Sequence, residues 1–417
     1  MKALIPCALI AALLALAAFA PLHAAPAAPL LIEAARVFDG ERFHTDAAIL
    51  IENGRVTRIG APPEFAGVTA TRLDLGGATV LPGFIELHAH TSFRHVPADV
   101  VLAHGITTVR DLGGPLHPPR GGDGRLRVLT SGPILTAPGG YPIPAMGEAG
   151  IARAVASAGA ARQAVRELVA GGAVVIKVAL EPGGEAGAPW AGGHAHGHGH
   201  EPAGAGHGAA PHEAQSVSAG WPLLSADIVA AIVAEAHRLD RRVSAHLAEP
   251  QGVTLALDAG VDEWAHLPCA PIPEPLLRRA VAQGVKIVTT LDTLSRCPGI
   301  AQNARTLAAL GADLYYGAEI AHPDIPWGID AEELNRMRQW GGLDALAVLQ
   351  TATAKAGRLL GIPLLGTLEP GAPADLIAIT SDPVQDFKPL EYPALVVSGG
   401  HVIVNRLTRP TPRPATD

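Results

Sequence analysis

Apolar positions along the chain fall into short runs broken by Gly, Pro, Asn and Asp, and the period of the runs differs between the ends and the middle. Residues 30–38 and 48–52 are largely apolar and strand-like, Asn53-Gly54 turns the chain into 55–59, and a further strand-like piece covers 72–75. The far end repeats the pattern: 374–380 reads as a strand, and 394–397 and 401–404 flank Gly399-Gly400 as a second hairpin. One small β-sandwich domain, built from residues 25–80 and 361–417, is expected. Between these ends, strand and helix patterns alternate. Strands are expected at 83–90, 106–111, 127–131, 174–178, 243–247, 263–267, 286–291 and 313–319; helices at 151–170, 225–239, 252–259, 273–283, 301–310 and 343–360. Alternation of this kind predicts a parallel α/β sheet, and eight repeats predict a (β/α)8 TIM-like barrel over residues 81–360.

Length supports this division, since 417 residues suffice for one barrel and a smaller domain. A net charge of −8 spread along the chain argues against a nucleic-acid partner. Residues 1–24 read as a cleaved signal peptide: Lys2 is the positive start, 8–20 the apolar stretch, and Leu22-His23-Ala24 the small-residue cleavage site. The expected location is periplasmic or secreted, with no stable membrane anchor. Cys269 and Cys297 then remain. They are read either as a disulfide, worth roughly 3–4 kcal/mol by loop entropy, or as two buried thiols.

In a barrel, chemistry sits where strands end at the C-terminal face, and the polar outliers of this chain lie there. His88 and His90 end the first strand two residues apart, so both imidazoles share a face. His246 ends the fifth and His266 the sixth. Four histidines at the ends of inner strands read jointly as a divalent metal site, most simply for zinc. Lys177 interrupts the apolar run Val174-Val175-Ile176-Lys177-Val178. A buried ammonium costs several kcal/mol, so it is paired with a carboxylate or reacts with carbon dioxide to give an anionic carbamate.

These stretches resemble the amidohydrolase superfamily, and within it the imidazolonepropionase-like and prolidase-like branch. The matching segments are LPGFIELHAH (81–90), GITTVRDLGG (105–114), VVIKV (174–178), Ala245-His246, GVDEWAHL (260–267), TATAKAGRLL (351–360) and GTLEPGAPADLIAI (366–379). The resemblance implies two divalent metals. His88 and His90 would hold one, His246 and His266 the other, carboxylated Lys177 would bridge them, and an acid ending strand eight would bind metal and move the proton of the attacking water. Here the chain departs from the pattern. The family has Gly-Thr-Asp; this chain has Gly317-Ala318-Glu319. The extra methylene moves the carboxylate by about 1.5 Å. Glu319 takes the role with adjusted geometry, or Asp324 or Asp330 substitutes, or the activity is weakened or specialised.

Three functions are therefore open. The first is an exported hydrolase cleaving an amide bond in a short peptide, an N-acyl amino acid or a cyclic amide. The second is a one-metal deaminase or cyclic-amidine hydrolase, in which Glu249 of His246-Leu247-Ala248-Glu249 protonates the substrate. The third is a non-catalytic zinc-binding protein. Arg110 is a candidate receptor for a substrate carboxylate or half of a structural ion pair with Asp111 or a neighbour; Tyr141 and Trp221 are candidate pocket residues. A low-complexity insertion near 190–215 carries His194, His196, His198, His200, His207 and His212. It reads as disordered, either loading zinc or tolerated without a role. Oligomeric state is not legible.

Overall fold

A computed structural model describes residues 28–147, 150–183, 185–189, 220–322 and 324–407. The expected signal peptide at 1–24 and the histidine-rich insertion lie outside these residues. Five strands open the described chain: β1 (Leu30–Phe38), β2 (Phe43–Glu52), β3 (Arg55–Gly60), β4 (Thr71–Asp74) and β5 (Thr79–Pro82). The β2–β3 hairpin turns at Asn53 and Gly54, with φ of 52° and 74°. Two consecutive positive φ values match the right-handed twist of the flanking strands, and Asn-Gly reaches them at least cost.

Ten short parallel strands follow: β6 (Phe84–Ala89), β7 (Ile106–Asp111), β8 (Arg127–Thr130), β9 (Ile134–Thr136), β10 (Ala152–Ala154), β11 (Ile176–Ala179), β12 (Val243–His246), β13 (Glu263–Trp264), β14 (Lys286–Val288) and β15 (Asp313–Tyr315). They form two parallel sheets, ordered β6-β7-β8 and β10-β9-β11-β12-β13-β14-β15, in a TIM-barrel-like α/β arrangement. Hydrogen bonds cross both gaps between the sheets. Val174 N–H donates to the Thr130 carbonyl at 2.9 Å, and His90 N–H to the Ile320 carbonyl at 3.0 Å. The second bond stitches the end of the first strand to the segment carrying Glu319.

The helices follow amphipathic logic. Ala158–Ala170 buries Ala161, Ala164, Val165 and Leu168, an i, i+3, i+4, i+7 face, and Ser157 Oγ caps its start by accepting from Ala160 N–H. Two expected helices need correction. Residues 152–154 form a strand on β9, so the helix expected from 151 begins only after the Ser157 cap. The expected 343–360 helix is two, Ala345–Thr351 and Ala354–Leu360. At the break, the Thr351 and Thr353 hydroxyls donate to the carbonyls of Val348 and Leu349, competing with helix continuation.

Three last strands, β16 (Leu376–Ile379), β17 (Leu395–Ser398) and β18 (His401–Asn405), return to the first five. β16 pairs antiparallel with β5, giving one eight-stranded mixed sheet from both chain ends. Its core includes Ile32, Val37, Ile49, Val80, Leu376 and Leu395. The larger core, with Trp264, Val178, Val243 and Ile287, fills the parallel strands and the helices around them. Among the described residues no helix is long and apolar enough to cross a membrane.

Candidate active site

His88 lies on β6 and His90 just beyond it, the first fully buried and the second nearly so. His88 Nδ1 is 2.7 Å from the Ala265 carbonyl. A carbonyl can only accept, so the proton sits on Nδ1 and Nε2 presents a lone pair. That Nε2 is buried with no hydrogen-bond partner among the described residues, as a metal ligand requires. Glu319 Oε1 lies 3.6 Å from His88 Nε2 and 3.5 Å from His90 Nε2. Beneath them, Glu86 accepts the backbone N–H groups of His88 at 2.7 Å and Ala318 at 2.9 Å, locking the two ligand-bearing segments together. Burial foremost pushes its carboxyl up to about 8. Gly317 permits this approach, since a Cβ there would stand 2.4 Å from Val288 Cγ1.

Of the acids near the end of strand eight, Glu319 is the one that reaches the histidines. The residue adopts φ 62°, in the left-handed region, and its carboxylate is buried among His88, His90 and His322. Burial would raise its carboxyl; the histidines His88 and His322, with hydrogen bonds from His322 and His90, hold it well below the usual carboxylate range. Asp324 is exposed, and Asp330 caps the helix Ala331–Gln339 by accepting from Glu332 N–H. Neither joins the histidine cluster or lines the pocket.

A second cluster joins Glu185, His246 and His266, all buried. His246 ends β12, and His266 lies two residues beyond β13. His266 Nε2 is 2.7 Å from His246 Nδ1, while His266 Nδ1 faces the Leu267 carbonyl at 3.0 Å. Glu185 Oε1 is 3.2 Å from His246 Nε2. Burial foremost, then the charge of Lys177, keeps the His246 imidazole well below its ordinary value. Tyr141 stacks on His246 with ring centroids 4.3 Å apart, and Trp221 stacks on Tyr141 at 5.5 Å. Tyr141 lines the pocket, whereas Trp221 backs it.

Lys177, on β11, is buried and lines the same pocket. No carboxylate among the described residues comes within ion-pairing distance of it, so the paired-ammonium alternative finds no partner there. Burial foremost lowers its amine to about 7, with Arg110 adding to the effect and Glu319, Glu263 and Glu185 opposing it. A neutral amine is the form that reacts with carbon dioxide. Arg110 needs correction as a substrate receptor. Its guanidinium grips Glu263 with two hydrogen bonds, at 3.0 and 2.5 Å, and donates to the Leu87 carbonyl at 2.9 Å. It is a buried structural pair, with Glu263 rather than Asp111 as partner. Glu249 starts the helix Pro250–Ala259 and is not among the residues lining the pocket. Cys269 and Cys297 form a disulfide, with Cα atoms 4.9 Å apart.

A pocket lined by His90, Lys177, His246, Glu319 and His322 lies over both clusters. Phe93, Ile134, Tyr141, Pro142, Met146 and Ile151 form apolar walls, and Arg94 adds a fixed positive charge. Sequence reasoning missed Arg94, Glu185 and His322. His322 Nε2 lies 3.2 Å from Glu319 Oε1. Its signal was available, one turn after the strand-eight acid. Glu185 follows the Lys177 strand at close range. Arg94 carried no signal beyond its nearness to His90.

An amidohydrolase family model matches residues 274–403. Ochratoxinase of Aspergillus niger is 31% identical over 183 residues, 40% of this chain and 38% of that protein. The match thus spans less than half the length of that relative. The crystal structure of A. niger ochratoxinase aligns with a TM-score of 0.69 at 20% identity, covering 91% of this chain and 96% of that one. A Xaa-Pro dipeptidase with bound methionine aligns with a TM-score of 0.68 at 21% identity, covering 90% and 99%. At these identities the structural likenesses speak for the fold.

Proposed function

From the premise that this chain belongs to the amidohydrolase superfamily, we propose that it is an exported metal-dependent hydrolase that cleaves an amide bond at a two-metal centre. The carrying observation is the convergence of His88, His90 and Glu319 opposite His246 and His266, with Lys177 on the wall of the same pocket. His88, His90 and Glu319 would hold one zinc ion, His246 and His266 the other, and a carbamate formed from the Lys177 amine and carbon dioxide would bridge them. Bound divalent metals lower the pKa of water towards neutrality and polarise a scissile carbonyl. Glu319 accepts the proton of the attacking water and returns it to the leaving nitrogen as the carbon–nitrogen bond breaks. His322 steadies the carboxylate by hydrogen bonding to Oε1.

The pocket suggests the substrate class. Apolar walls suit an acyl group or a hydrophobic side chain, and the Arg94 guanidinium suits a terminal carboxylate. A dipeptide or N-acyl amino acid carries both, and the dipeptidase among the structural neighbours supports that class. The same reading takes the parallel strands as a closed barrel and the shared end sheet as a curled sandwich. Export is supported by the leader-like residues 1–24 and by a disulfide, which persists in oxidising compartments.

Metal analysis of the purified protein, with hydrolysis of a panel of N-acyl amino acids and dipeptides before and after chelation, tests the proposal. About two zinc ions per chain and activity lost to chelator and restored by zinc are expected. A protein that binds no divalent metal, or hydrolysis indifferent to chelation, would overturn it.

A further inference from the structure

Glu86 belongs to no part of the expected metal site, yet it stands where the first strand meets the eighth. The pairing of β6 with β7 slips between Glu86 and Ala89, so Leu87 and His88 have no register partner on β7. On its other side, β6 reaches the strand-eight segment by backbone at Ala89 and His90. Ala89 bridges to Ile320, and His90 N–H donates to the Ile320 carbonyl at 3.0 Å. Before that point a side chain makes the join. Glu86 Oε1 accepts from His88 N–H at 2.7 Å, and Glu86 Oε2 from Ala318 N–H at 2.9 Å. A buried N–H needs an acceptor, and one buried carboxylate here serves two. The same segment is held from the β14 side. Thr290 N–H donates to the Gly317 carbonyl at 2.9 Å, and Thr293 Oγ1 to the Ala318 carbonyl at 2.7 Å. The gap between β6 and residues 317–319 is therefore the reach of one glutamate.

That gap decides how Glu319 meets the histidines. Glu319 follows Ala318 directly, and its Oε1 stops 3.6 Å from His88 Nε2 and 3.5 Å from His90 Nε2. Gly317 leaves room for the arrangement, because a Cβ there would lie 3.2 Å from Glu86 Oε1 and 3.4 Å from His88 Cβ. We infer that Glu86 is a positioning residue, a spacer that holds the 317–319 backbone off β6 by the length of its own side chain. A glutamate, and not an aspartate, then spans from position 319 to the His88–His90 pair. The two glutamates are matched in length. An aspartate at 86 would reach about 1.5 Å less, and would keep the Ala318 N–H only by drawing that backbone towards β6. The Glu319 carboxylate would then overshoot. An aspartate at 319 would fall short by the same length while Glu86 keeps the backbone away. Shortening both brings backbone and carboxylate back into register. Groups that hold metal ligands in place govern metal affinity without touching the metal.

The inference rests on the two-metal reading, and its test separates the two. Metal-free full-length protein is titrated with zinc in bicarbonate buffer against a chromophoric chelator, for the wild type and for E319D, E86D and E86D/E319D. The wild type should take up two equivalents. In E319D and in E86D one equivalent should weaken about 10- to 100-fold while the other is unchanged. Independent defects would multiply. Matched lengths instead require E86D/E319D to bind that equivalent more tightly than either single variant, a rescue that a merely structural role of Glu86 would not give. A folded double variant no tighter than the single ones, or a folded E86D at wild-type affinity, would overturn the spacer and leave the metal centre standing. E319D at wild-type affinity would overturn it even if the variants at position 86 fail to fold. A wild type that takes up no zinc would remove both readings.

Discussion

Glu319 and His322 stand one turn apart: His322 N–H donates to the Glu319 carbonyl at 3.3 Å, while its Nε2 lies 3.2 Å from Glu319 Oε1. One residue is thus gripped twice by the other, through backbone and side chain. The grip matters because Glu319 holds a left-handed backbone, φ 62°, that non-glycine residues adopt at a cost. E319Q keeps the shape and removes the base, so kcat should fall by about 10²–10⁴ with zinc content reduced at the His88–His90 site. H322N should lower kcat by about tenfold, the loss of one charge-assisted hydrogen bond of about 1.5 kcal/mol, with KM little changed. Steady-state kinetics on the best panel substrate check both; an E319Q enzyme of wild-type kcat would remove Glu319 from the reaction.

Much of this site was legible because its parts obey simple periods. His88 and His90 are two apart on a strand, and His246 and Lys177 interrupt apolar runs where a charge or ring needs a reason. Glu319 was legible as an anomaly, an acid at the right strand end with one methylene too many. What escaped notice sits on irregular backbone. Glu185 follows Pro182 and Gly183, and His322 follows a positive-φ residue, Ala321; no period predicts where such side chains point. Arg110 misled for the opposite reason. Its strand position was clear, but its partner, Glu263, is 153 residues away. The β10 strand was hidden because three residues carry too little pattern to outweigh the helix that follows. The helix break at Thr353 depends on two hydroxyl bonds that alternation of apolar positions does not register.

The pocket's charge asymmetry makes a prediction about substrate. Arg94 lines the cavity among apolar walls, its guanidinium carbon 5.2 Å from the centre of the Phe93 ring. A substrate carboxylate meeting it gains a charge-assisted contact that a carboxamide of the same shape does not. R94M should therefore raise KM for carboxylate substrates about tenfold or more, equivalent to about 1.4 kcal/mol, and leave carboxamide analogues nearly unchanged. Equal effects on both substrate types would show that Arg94 shapes the pocket and does not read charge.

Asp330 gives a stability prediction with a definite sign. Burial foremost, then the charge of Asp292, pushes its carboxyl up to about 7, with Glu391 adding to the effect; an unfolded aspartate titrates near 3.9. Between these values the folded chain holds a proton that the unfolded chain has lost, so stability falls as pH rises. The contribution is intact below about pH 4 and lost by about pH 7, with a slope of at most about 1.4 kcal/mol per pH unit. D330N retains an oxygen for the Glu332 N–H that Asp330 Oδ1 now accepts at 2.9 Å, and it does not titrate. The stability of D330N relative to wild type should therefore climb between pH 5 and 7.5. Chemical denaturation at both values measures it, and the difference between the proteins cancels every other titrating group. A flat difference would mean that Asp330 is ionised in the folded chain.

The disulfide ties two consequences to one bond. Cys269 lies three residues beyond His266, Cys297 lies 28 residues further on, and Gly299 N–H donates back to the Cys269 carbonyl at 2.8 Å. Closing a loop of this length in the unfolded chain is worth about 3.5 kcal/mol by the entropy model, so C269S/C297S should lose about that much unfolding free energy. The same sulfur touches the Ala186 carbonyl beside Glu185. Loosening that contact should weaken the second zinc equivalent, because Glu185 groups with His246 and His266. Denaturation of the wild type with and without reductant, set beside C269S/C297S and followed by zinc titration, separates the effects. Identical midpoints in all three would mean that the loop is held by packing alone. A midpoint shift with unchanged zinc affinity would confine the disulfide to stability.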